Sequence, residues 1–382
     1  MPKLKSKLPD VGTSIFTVMS KMAQEHSAIN LSQGFPDFEV SKELIGLVNK
    51  YMSNGFNQYA PMPGVPALRE QIGVMLKSRF NYYADPDTEI TITSGATEAL
   101  FNTITALISP DDEVILFDPA YDSYAPVIRL SGGIPMHLTL KQPDFSINWD
   151  EVEQKVTSQT RMIIINTPHN PTGSILTGED MRRLDKIAMQ HPNLLILSDE
   201  VYEHIIFDNF THASVLRYPA LADQSIAVFS FGKTFHATGW KVGYVVAPAD
   251  IMAEIRKVHQ FVTFSVNTAV QLAIAEYLKT ESNYTQLPAF YQQKRDLFLG
   301  QIKDSGFIPI PCHGTYFQSL SYQEISNRPD MEMAEYLTKT HSIASIPISA
   351  FYKNRRDDKI LRFCFAKNEE TIEKAAKILC RI

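Results

Sequence analysis

The segment from Ser230 to Tyr244, SFGKTFHATGWKVGY, contains a lysine for which two kinds of chemistry are open. Gly232, Lys233 and Thr234 match the end of a nucleotide-binding P-loop, but that pattern needs a glycine at position 227, where alanine stands. A nucleotide-binding role is therefore poorly supported. What remains for Lys233 is covalent chemistry, because a desolvated lysine is a good nucleophile and base, or a structural salt bridge.

Other residues with chemical potential follow short apolar runs. In SGATEAL, Gly95, Ala96 and Thr97 offer free backbone N–H groups at a helix start, and such groups favour an anion. In SDEVYEHI, Asp199 would be a buried carboxylate that needs a partner, and Tyr202 follows three residues later. The structural alternatives are an ordinary helix start for the glycine segment and a helix cap for Asp199.

Two more segments carry candidate binding residues. In DPAYDSY, Tyr121 could present its ring face to a flat heterocycle, or be a half-buried core aromatic. In NTPHNPTG, Asn170 is able to donate or accept a hydrogen bond, although a turn this rich in Pro and Gly needs no function.

The elements that must position these residues alternate between short apolar runs and longer helical patterns, which predicts an α/β fold. Solidly apolar runs and intervening helices favour βαβ crossovers and a mostly parallel sheet. The predicted strands are 89–93, 113–117, 134–140, 161–166, 193–198, 225–230 and 242–247.

Ligands of an open parallel sheet bind outside the carboxyl ends of its strands, so the five segments are expected to converge there. One ligand that used all of them would need a phosphate, an aromatic ring, a ring nitrogen that seeks an anion, a phenolic oxygen and a carbonyl. Pyridoxal phosphate has this set of groups.

The segments NTPHNPTG, SDEVYEHI and SFGKTFHATGWKVGY resemble the signatures of class I/II aminotransferases, which are fold type I pyridoxal phosphate enzymes. INLSQGFPDF, NQYAPMPGVPALRE, FDPAYDSY and SVNTAVQ are similar to the branch of methionine aminotransferases and kynurenine/glutamine aminotransferases, with the bacterial methionine enzymes nearest. The resemblance covers nearly the whole chain. It implies a large domain with a mostly parallel sheet and a smaller α+β domain.

The resemblance also implies a role for each cofactor-binding residue. Lys233 would hold the cofactor as an aldimine and then move the substrate proton, and Asp199 would keep the ring nitrogen protonated. Asn170 and Tyr202 would hold the phenolic oxygen, and Tyr121 would stack on the ring. The phosphate would be bound by Gly95, Ala96, Thr97, Ser230 and Lys241, with lysine at a position where the family often has arginine.

For the substrate, the resemblance implies that Arg362 in ILRFCFAK pairs with the α-carboxylate and that Gly34 in SQGFPD adds a backbone contact. A surface ion pair is the structural alternative for Arg362. Tyr59 in NQYAP would reach the phosphate of the neighbouring subunit, which implies a homodimer with shared active sites.

Segments similar to the family's pocket walls supply side chains without positive charge, so an uncharged, fairly large donor is expected. The function predicted is transfer of the amino group of a hydrophobic or aromatic amino acid, methionine favoured, to a 2-oxo acid. A kynurenine/glutamine aminotransferase with cysteine-conjugate β-lyase activity is the alternative, and a binding protein without activity is a rival from another class. The wall residues are Phe16, Phe264, Ser265 and Tyr316, unless these aromatics belong to the core.

Charge and composition limit the other possibilities. A net charge of −6 without long basic runs argues against nucleic acid as a partner. Cysteines at 312, 364 and 380 indicate neither a disulfide framework nor a metal site. No signal sequence or membrane span is predicted, so a cytoplasmic location is expected. The expected domains are an N-terminal arm and small-domain segment (1–45), a large cofactor-binding domain (46–285) and a small C-terminal domain (286–382).

Overall fold

The computed structural model describes residues 4–382, and within them strands and helices alternate through the middle of the chain. The strands are β1 (Ile29–Asn30), β2 (Ile90–Thr93), β3 (Glu113–Asp118), β4 (Ile134–Thr139), β5 (Thr160–Asn166), β6 (Leu195–Asp199), β7 (Ser225–Ser230), β8 (Gly243–Val246), β9 (Ile308–Pro309), β10 (Phe317–Ser321), β11 (Ile343–Ala344), β12 (Ile346–Pro347) and β13 (Ile360–Cys364).

Helices cover both faces of the large central sheet. In chain order the α-helices are α1 (Ile15–Glu25), α2 (Lys42–Ser53), α3 (Pro66–Phe80), α4 (Ala96–Leu107), α5 (Tyr124–Leu130), α6 (Trp149–Lys155), α7 (Gly178–Gln190), α8 (Pro219–Ala222), α9 (Phe231–Thr234), α10 (Ala249–Val262), α11 (Thr268–Leu278), α12 (Ser282–Thr285), α13 (Leu287–Ile302), α14 (Asp330–His341) and α15 (Glu369–Leu379). Short 3₁₀ turns lie at Val215–Arg217, Thr238–Trp240 and Ile348–Phe351.

The central sheet has the order β2-β8-β7-β6-β5-β3-β4 among the described residues. The pairs from β7 to β4 are parallel, whereas β8 runs antiparallel to both of its neighbours. Each strand begins and ends within two residues of its predicted range. The predicted α/β fold with a mostly parallel sheet is therefore confirmed, and the parallel strands bring their carboxyl ends to one edge.

The central sheet is buried on both faces. Alternate side chains of one strand point to opposite faces, so each strand contributes to both buried faces. Ile163 and Ile165 of β5 pack into one apolar cluster, while Met162 and Ile164 pack into the other. The first cluster continues into the C-terminal part of the chain, and the second is closed by α4, α5 and α10. A strand of the central sheet therefore needs apolar residues at consecutive positions, and the sequence of β5 has such a run.

The C-terminal part contains an antiparallel sheet with the order β12-β13-β10-β9 in the described chain. The N-terminal segment joins this part, because β1 pairs in parallel with β11, with Ile29 opposite Ile343. We therefore propose that residues 4–45 and 286–382 form one structural unit and 46–285 the other. Residues 1–3 of the predicted arm lie outside the described residues.

Gly243 lets α4 approach the end of β8. A Cβ atom built at Gly243 would lie 2.6 Å from the Phe229 carbonyl oxygen and 2.8 Å from the Ala96 nitrogen. Both are backbone atoms that cannot swing aside, so a side chain here has no room.

We predict that Gly243→Ala lowers the free energy of unfolding by about 1–3 kcal/mol, because overpacking against backbone forces a local shift. Urea denaturation would measure the change. The matched control is Gly300→Ala in α13, where a Cβ meets nothing within 4 Å. This control should leave the free energy of unfolding unchanged or raise it slightly, because alanine is more favourable than glycine inside a helix. Equal stability of the two variants would contradict the steric argument.

Candidate active site

A cavity of about 310 Å³ opens at the carboxyl ends of the parallel strands, where α1 and the C-terminal part of the chain face the central sheet. The sheet supplies residues that follow β2, β5, β6 and β7, while β13, β10 and α1 supply the opposite wall. The predicted site residues that line it are Phe16, Gly34, Gly95, Ala96, Thr97, Tyr121, Asn170, Asp199, Tyr202, Ser230, Lys233, Lys241 and Arg362.

Lys233 lies in the single turn of α9, directly after β7. Its Nζ donates to the Tyr316 hydroxyl at 2.8 Å and is 3.4 Å from the Gly34 carbonyl oxygen. Burial lowers the pKa of Lys233 to about 8, and the positive charge of Arg362 acts in the same direction. About a tenth of Lys233 is therefore the free amine at pH 7, far more than for an ordinary lysine, and a nucleophile or a base requires this form.

Asp199 ends β6 and is almost fully buried. The Tyr124 hydroxyl donates to its Oδ2 at 2.6 Å, and Asn166 Nδ2 donates to its carbonyl oxygen at 2.8 Å. Burial raises the pKa of Asp199 to about 6, although the bond from Tyr124 works against that rise. A cationic N–H group from a ligand would restore the ionised form, so this carboxyl suits a protonated ring nitrogen.

An anion cup forms where β2 passes into α4. Gly95 has a φ of 75°, and a Cβ built there would lie 3.3 Å from Lys241 Nζ, so only glycine leaves the cup open. The N–H groups of the first turn of α4 and the Lys241 ammonium make this corner positive. Ser230 and Thr97 border it.

Glu98 places a carboxylate in the same first turn, where it would oppose an anion unless its charge were compensated. It accepts from His259 Nδ1 at 2.8 Å, and His259 Nε2 lies 3.0 Å from the Met62 carbonyl oxygen. His259 is therefore the side chain that binds Glu98 directly, and the hydrogen bond between them offsets part of the charge that Glu98 brings to this turn. Burial tends to raise the pKa of Glu98, but the bonds from His259 and the Ser94 N–H lower it below its ordinary value.

Arg362 is fully buried in β13. Its Nη1 donates to Asn170 Oδ1 at 2.7 Å and its Nη2 to the Ser32 carbonyl oxygen at 2.8 Å. Its Nε has no hydrogen-bond partner among residues 4–382. The guanidinium carbon lies 3.8 Å from the centre of the Phe317 ring. Burial lowers the pKa of Arg362 to about 10, so it is still a cation at neutral pH, and both of its Nη bonds go to neutral oxygen atoms.

Two tyrosines border the cavity as neutral phenols. Burial raises the pKa of Tyr121 to about 12 and raises that of Tyr202 further above its ordinary value. The Tyr202 ring stands edge-on to that of Tyr316, with centroids 5.2 Å apart. Both hydroxyls therefore keep their protons at neutral pH and are available as hydrogen-bond donors.

Four predicted residues lie outside this cavity. Tyr59 is 84% exposed and packs edge-on against Phe264, itself 44% exposed, with ring centroids 5.7 Å apart. Ser265 donates to the Ala60 carbonyl oxygen at 3.0 Å beside them. Tyr59 and Ser265 border a separate surface depression, and Phe264 packs against Tyr59 next to it. None of these three residues lines the cavity that contains Lys233. Tyr316 is fully buried and touches Lys233 through its hydroxyl instead of lining the cavity.

Several contacting residues were not predicted. Phe317 and Asn166 line the cavity, and Tyr124 bonds to Asp199 from behind it. Asn166 ends the strand run RMIIIN and Tyr124 belongs to DPAYDSY, so their positions gave a usable signal. The bond between His259 and Glu98 joins positions 161 residues apart, and nothing in either local sequence indicates it.

Among residues 4–382, no group of three or more His, Cys, Asp or Glu side chains is placed to hold a metal ion. No helix in the described part of the chain is long and apolar enough to cross a membrane.

The chain belongs to the family of class I and II aminotransferases, whose family model matches residues 26–379. This confirms the predicted family and fold type, and the protein is an aminotransferase. It is 50% identical over 376 residues to methionine aminotransferase of Escherichia coli (strain K12), covering 98% of this chain and 97% of that protein. A crystal structure described as a methionine aminotransferase from Escherichia coli matches with a TM-score of 0.98 at 49% identity, covering 100% of both chains.

A more distant relative comes from the predicted alternative branch. Kynurenine–oxoglutarate transaminase of Dictyostelium discoideum is 33% identical over 410 residues, which cover 97% of this chain and 94% of that protein. Both branches that the sequence resembled are therefore present among its relatives.

We predict that Asp199→Asn stabilises the ligand-free protein at neutral pH while it removes activity. The folded-state pKa of about 6 exceeds the ordinary 3.8, so the folded protein keeps a proton that the unfolded chain releases. Stability is therefore lost as pH rises between these two values, by on the order of 2–3 kcal/mol at neutral pH. Asparagine has no charge to bury and avoids this loss.

Urea denaturation of both proteins at neutral pH and near pH 4 would measure the effect, since the wild-type penalty disappears in acid. The stability gain of the variant should shrink as pH falls. A gain of equal size at both pH values would show that the Asp199 charge is not its cause.

Proposed function

We propose that this aminotransferase uses pyridoxal phosphate to move the amino group of a hydrophobic amino acid, methionine favoured, to a 2-oxo acid. The observation that carries the proposal is that a half-buried lysine and a fully buried arginine meet in one cavity, where they would have different tasks. Burial lowers the pKa of Lys233 to about 8, and the Nη bonds of Arg362 within residues 4–382 go to neutral oxygen atoms. The relative named methionine aminotransferase supports the choice of donor.

The residues present fit pyridoxal phosphate. The open corner at Gly95, with Lys241 and the start of α4, fits a phosphate. Asp199, whose pKa is raised by burial, fits a protonated ring nitrogen. Tyr202 and Asn170 fit the phenolic oxygen, because Asn170 Oδ1 is taken by Arg362 and its amide hydrogens remain to donate. When bound, the cofactor supplies an aldehyde for the lysine and an electron-withdrawing ring.

Lys233 has two tasks in this proposal. Its amine would hold the cofactor through the cofactor aldehyde carbon. Once displaced by the substrate amine, Lys233 would take the proton from the substrate Cα and give it to the cofactor carbon bonded to the same nitrogen. A pKa near 8 suits both tasks, since the same group must be deprotonated to act and must hold the proton between steps. Tyr121 lines the cavity, where its ring would stack on the cofactor ring.

Arg362 orients the substrate. A carboxylate fits a guanidinium with two parallel hydrogen bonds, and here it would also satisfy the unpartnered Nε or compensate the buried charge. The ring of Phe317 beneath the guanidinium fixes its plane. Orientation of this kind brings Cα within reach of Lys233.

The donor side chain meets walls without a spare cation. Among the described residues that line the cavity, the Lys and Arg side chains are those of Lys233, Lys241 and Arg362, each with a proposed task. The other walls include Phe16, Leu100 and Phe317. Burial of a second carboxylate there is costly, whereas a thioether gains roughly 0.3–1.5 kcal/mol from ring contacts.

The amino donor is tested by half-reaction spectra of the cofactor-loaded enzyme with methionine, phenylalanine, kynurenine, glutamine and aspartate. We expect methionine and the aromatic donors to react on the order of 10²-fold faster than aspartate, the cost of leaving one buried carboxylate unpaired. Stopped-flow absorbance provides the rates. Aspartate reacting fastest would overturn the pocket assignment.

Lys233→Ala is the matched control, because it keeps the phosphate and ring contacts but lacks the amine. It should bind cofactor and fail to turn over repeatedly.

Product analysis tests the alternative, a kynurenine/glutamine aminotransferase with β-lyase activity. A keto acid formed in the same amount as the aminated acceptor indicates transfer, whereas pyruvate and ammonia formed from a cysteine conjugate indicate β-elimination. The kynurenine–oxoglutarate transaminase relative makes that comparison necessary.

We further propose a homodimer in which Tyr59 completes the partner's phosphate site. The surface around Tyr59 exposes several large apolar side chains, and such patches mark association surfaces. Phe261 is 86% exposed and Phe56 is 45% exposed beside it. His259 and Met62 connect this surface to the first turn of α4.

A subunit-mixing experiment tests the shared site. Tyr59→Phe should raise the cofactor dissociation constant about tenfold or more, the loss of one hydrogen bond to a charged group. In a mixed dimer with Lys233→Ala, one site carries both changes and the other is intact. When equal amounts of the two variants are mixed at limiting cofactor, about half of the dimers should be mixed and each should have one intact site. About a quarter of the number of active sites in the wild-type protein should therefore be recovered. No recovery, although labelled subunits demonstrably exchange, would contradict a shared site.

The cytoplasmic location is retained as a proposal. Cys312 and Cys364 are buried thiols and Cys380 is an exposed thiol, and none of them forms a disulfide within residues 4–382. Free thiols suit a reducing compartment. Cell fractionation would test this location.

A further inference from the structure

The Tyr316 hydroxyl lies between the reactive lysine and the backbone at Gly34. It is 2.8 Å from Lys233 Nζ and 2.7 Å from the Gly34 carbonyl oxygen. Tyr316 is fully buried, so no solvent competes for either bond. Nothing in the proposed roles of the cavity residues uses this hydroxyl, because it lies behind the lysine and does not line the cavity.

The direction of both bonds follows from the chemistry of the partners. A carbonyl oxygen only accepts, so the Tyr316 hydrogen points to Gly34. The hydroxyl oxygen therefore presents a lone pair to Lys233, which must donate. Burial raises the pKa of Tyr316 well above its ordinary value, so this phenol keeps its proton and is not itself a base. The bond favours the ammonium form of Lys233 over the amine.

The hydroxyl is also held in place. The Tyr316 ring packs against Phe317 with centroids 4.9 Å apart and against Tyr291 at 5.8 Å. A Cβ added at Gly34 would lie 3.3 Å from the Tyr316 ring and 2.5 Å from that of Phe317, so the Gly34 backbone is pressed against both. Three parts of the chain, at Gly34, Lys233 and the turn before β10, thus meet at one oxygen atom.

We propose that Tyr316 is a positioning residue for Lys233, whose hydroxyl holds the released ε-amino group beside Gly34 and keeps a proton on it between the steps of the reaction. The inference rests on the proposed role of Lys233 in amino transfer. It also makes Tyr316 a link between that lysine and the segment expected to contact the substrate carboxylate. Burial favours the amine form of Lys233, whereas the hydrogen bond to the Tyr316 hydroxyl favours its ammonium form, so the hydroxyl limits the effect of burial.

The test compares Tyr316→Phe with Tyr291→Phe. Tyr291 is an equally buried neighbour whose hydroxyl bonds to His236 Nδ1 at 2.9 Å and not to Lys233. In cofactor-free protein, acetic anhydride labelling of Lys233 is followed by mass spectrometry as a function of pH. Tyr316→Phe should shift the labelling curve of Lys233 to lower pH by roughly one unit, because a partner of the charged form is removed. Tyr291→Phe should leave the curve unchanged.

Steady-state kinetics with methionine add a second measurement. Tyr316→Phe should lower kcat about tenfold with KM little changed, since a misplaced base slows chemistry more than binding. Tyr291→Phe should retain wild-type values. An unshifted labelling curve in Tyr316→Phe, or an equal shift in both variants, would overturn the proposal.

If Tyr316→Phe does not fold, 3-fluorotyrosine at position 316 keeps the shape and the hydroxyl but makes the oxygen a poorer acceptor. The labelling curve should then move in the same direction by a smaller amount, and no movement would again overturn the proposal. Failure of the proposed function is seen separately, because the wild-type protein would then not transaminate methionine, whereas the labelling of Lys233 needs no cofactor.

Discussion

Burial of charge without a counter-charge is the constraint on which the site depends. Arg362, Lys233 and Asp199 each lie in a low-dielectric interior, where an ionised group is costly unless it is paired. The protein compensates them partly with neutral groups: Asn170 and Ser32 for the arginine, Tyr316 for the lysine and Tyr124 for the aspartate. Each keeps capacity for a ligand of the opposite charge, so the cavity is polarised before anything binds.

The sheet topology makes this arrangement possible. Parallel strands end at one edge, so residues that follow β5, β6 and β7 meet although long crossovers separate them in sequence. The antiparallel strand β8 brings Lys241 back to the start of α4. The C-terminal unit then covers that edge with Arg362 and Phe317. The cavity is thus lined jointly by residues that follow the strands of the central sheet and by residues of the N-terminal and C-terminal segments.

The fold and most of the cavity were predictable because they depend on local patterns. The strands β5 and β6 are apolar runs that end in polar residues: Asp199 is the last residue of β6, and Asn170 lies in the turn after β5. The place of Tyr316 was not predictable, since it depends on the turn at Thr315, where φ is 66°, and on how β10 meets Gly34. The two-residue strands β1 and β11 are too short for any periodicity to show, and the surface position of Tyr59 depends on tertiary structure.

The pairing of β1 with β11 has a consequence for the order in which the enzyme matures during synthesis. Ile29 emerges from the ribosome long before its partner Ile343, because 343 − 29 = 314 residues separate them. The central sheet has all its strands long before that moment, so a nascent chain holds Lys233 and Asp199 while the wall with Arg362 is still missing. The cavity therefore gains its wall with Arg362 only after β11 and β13 have been synthesised and β11 has paired with β1.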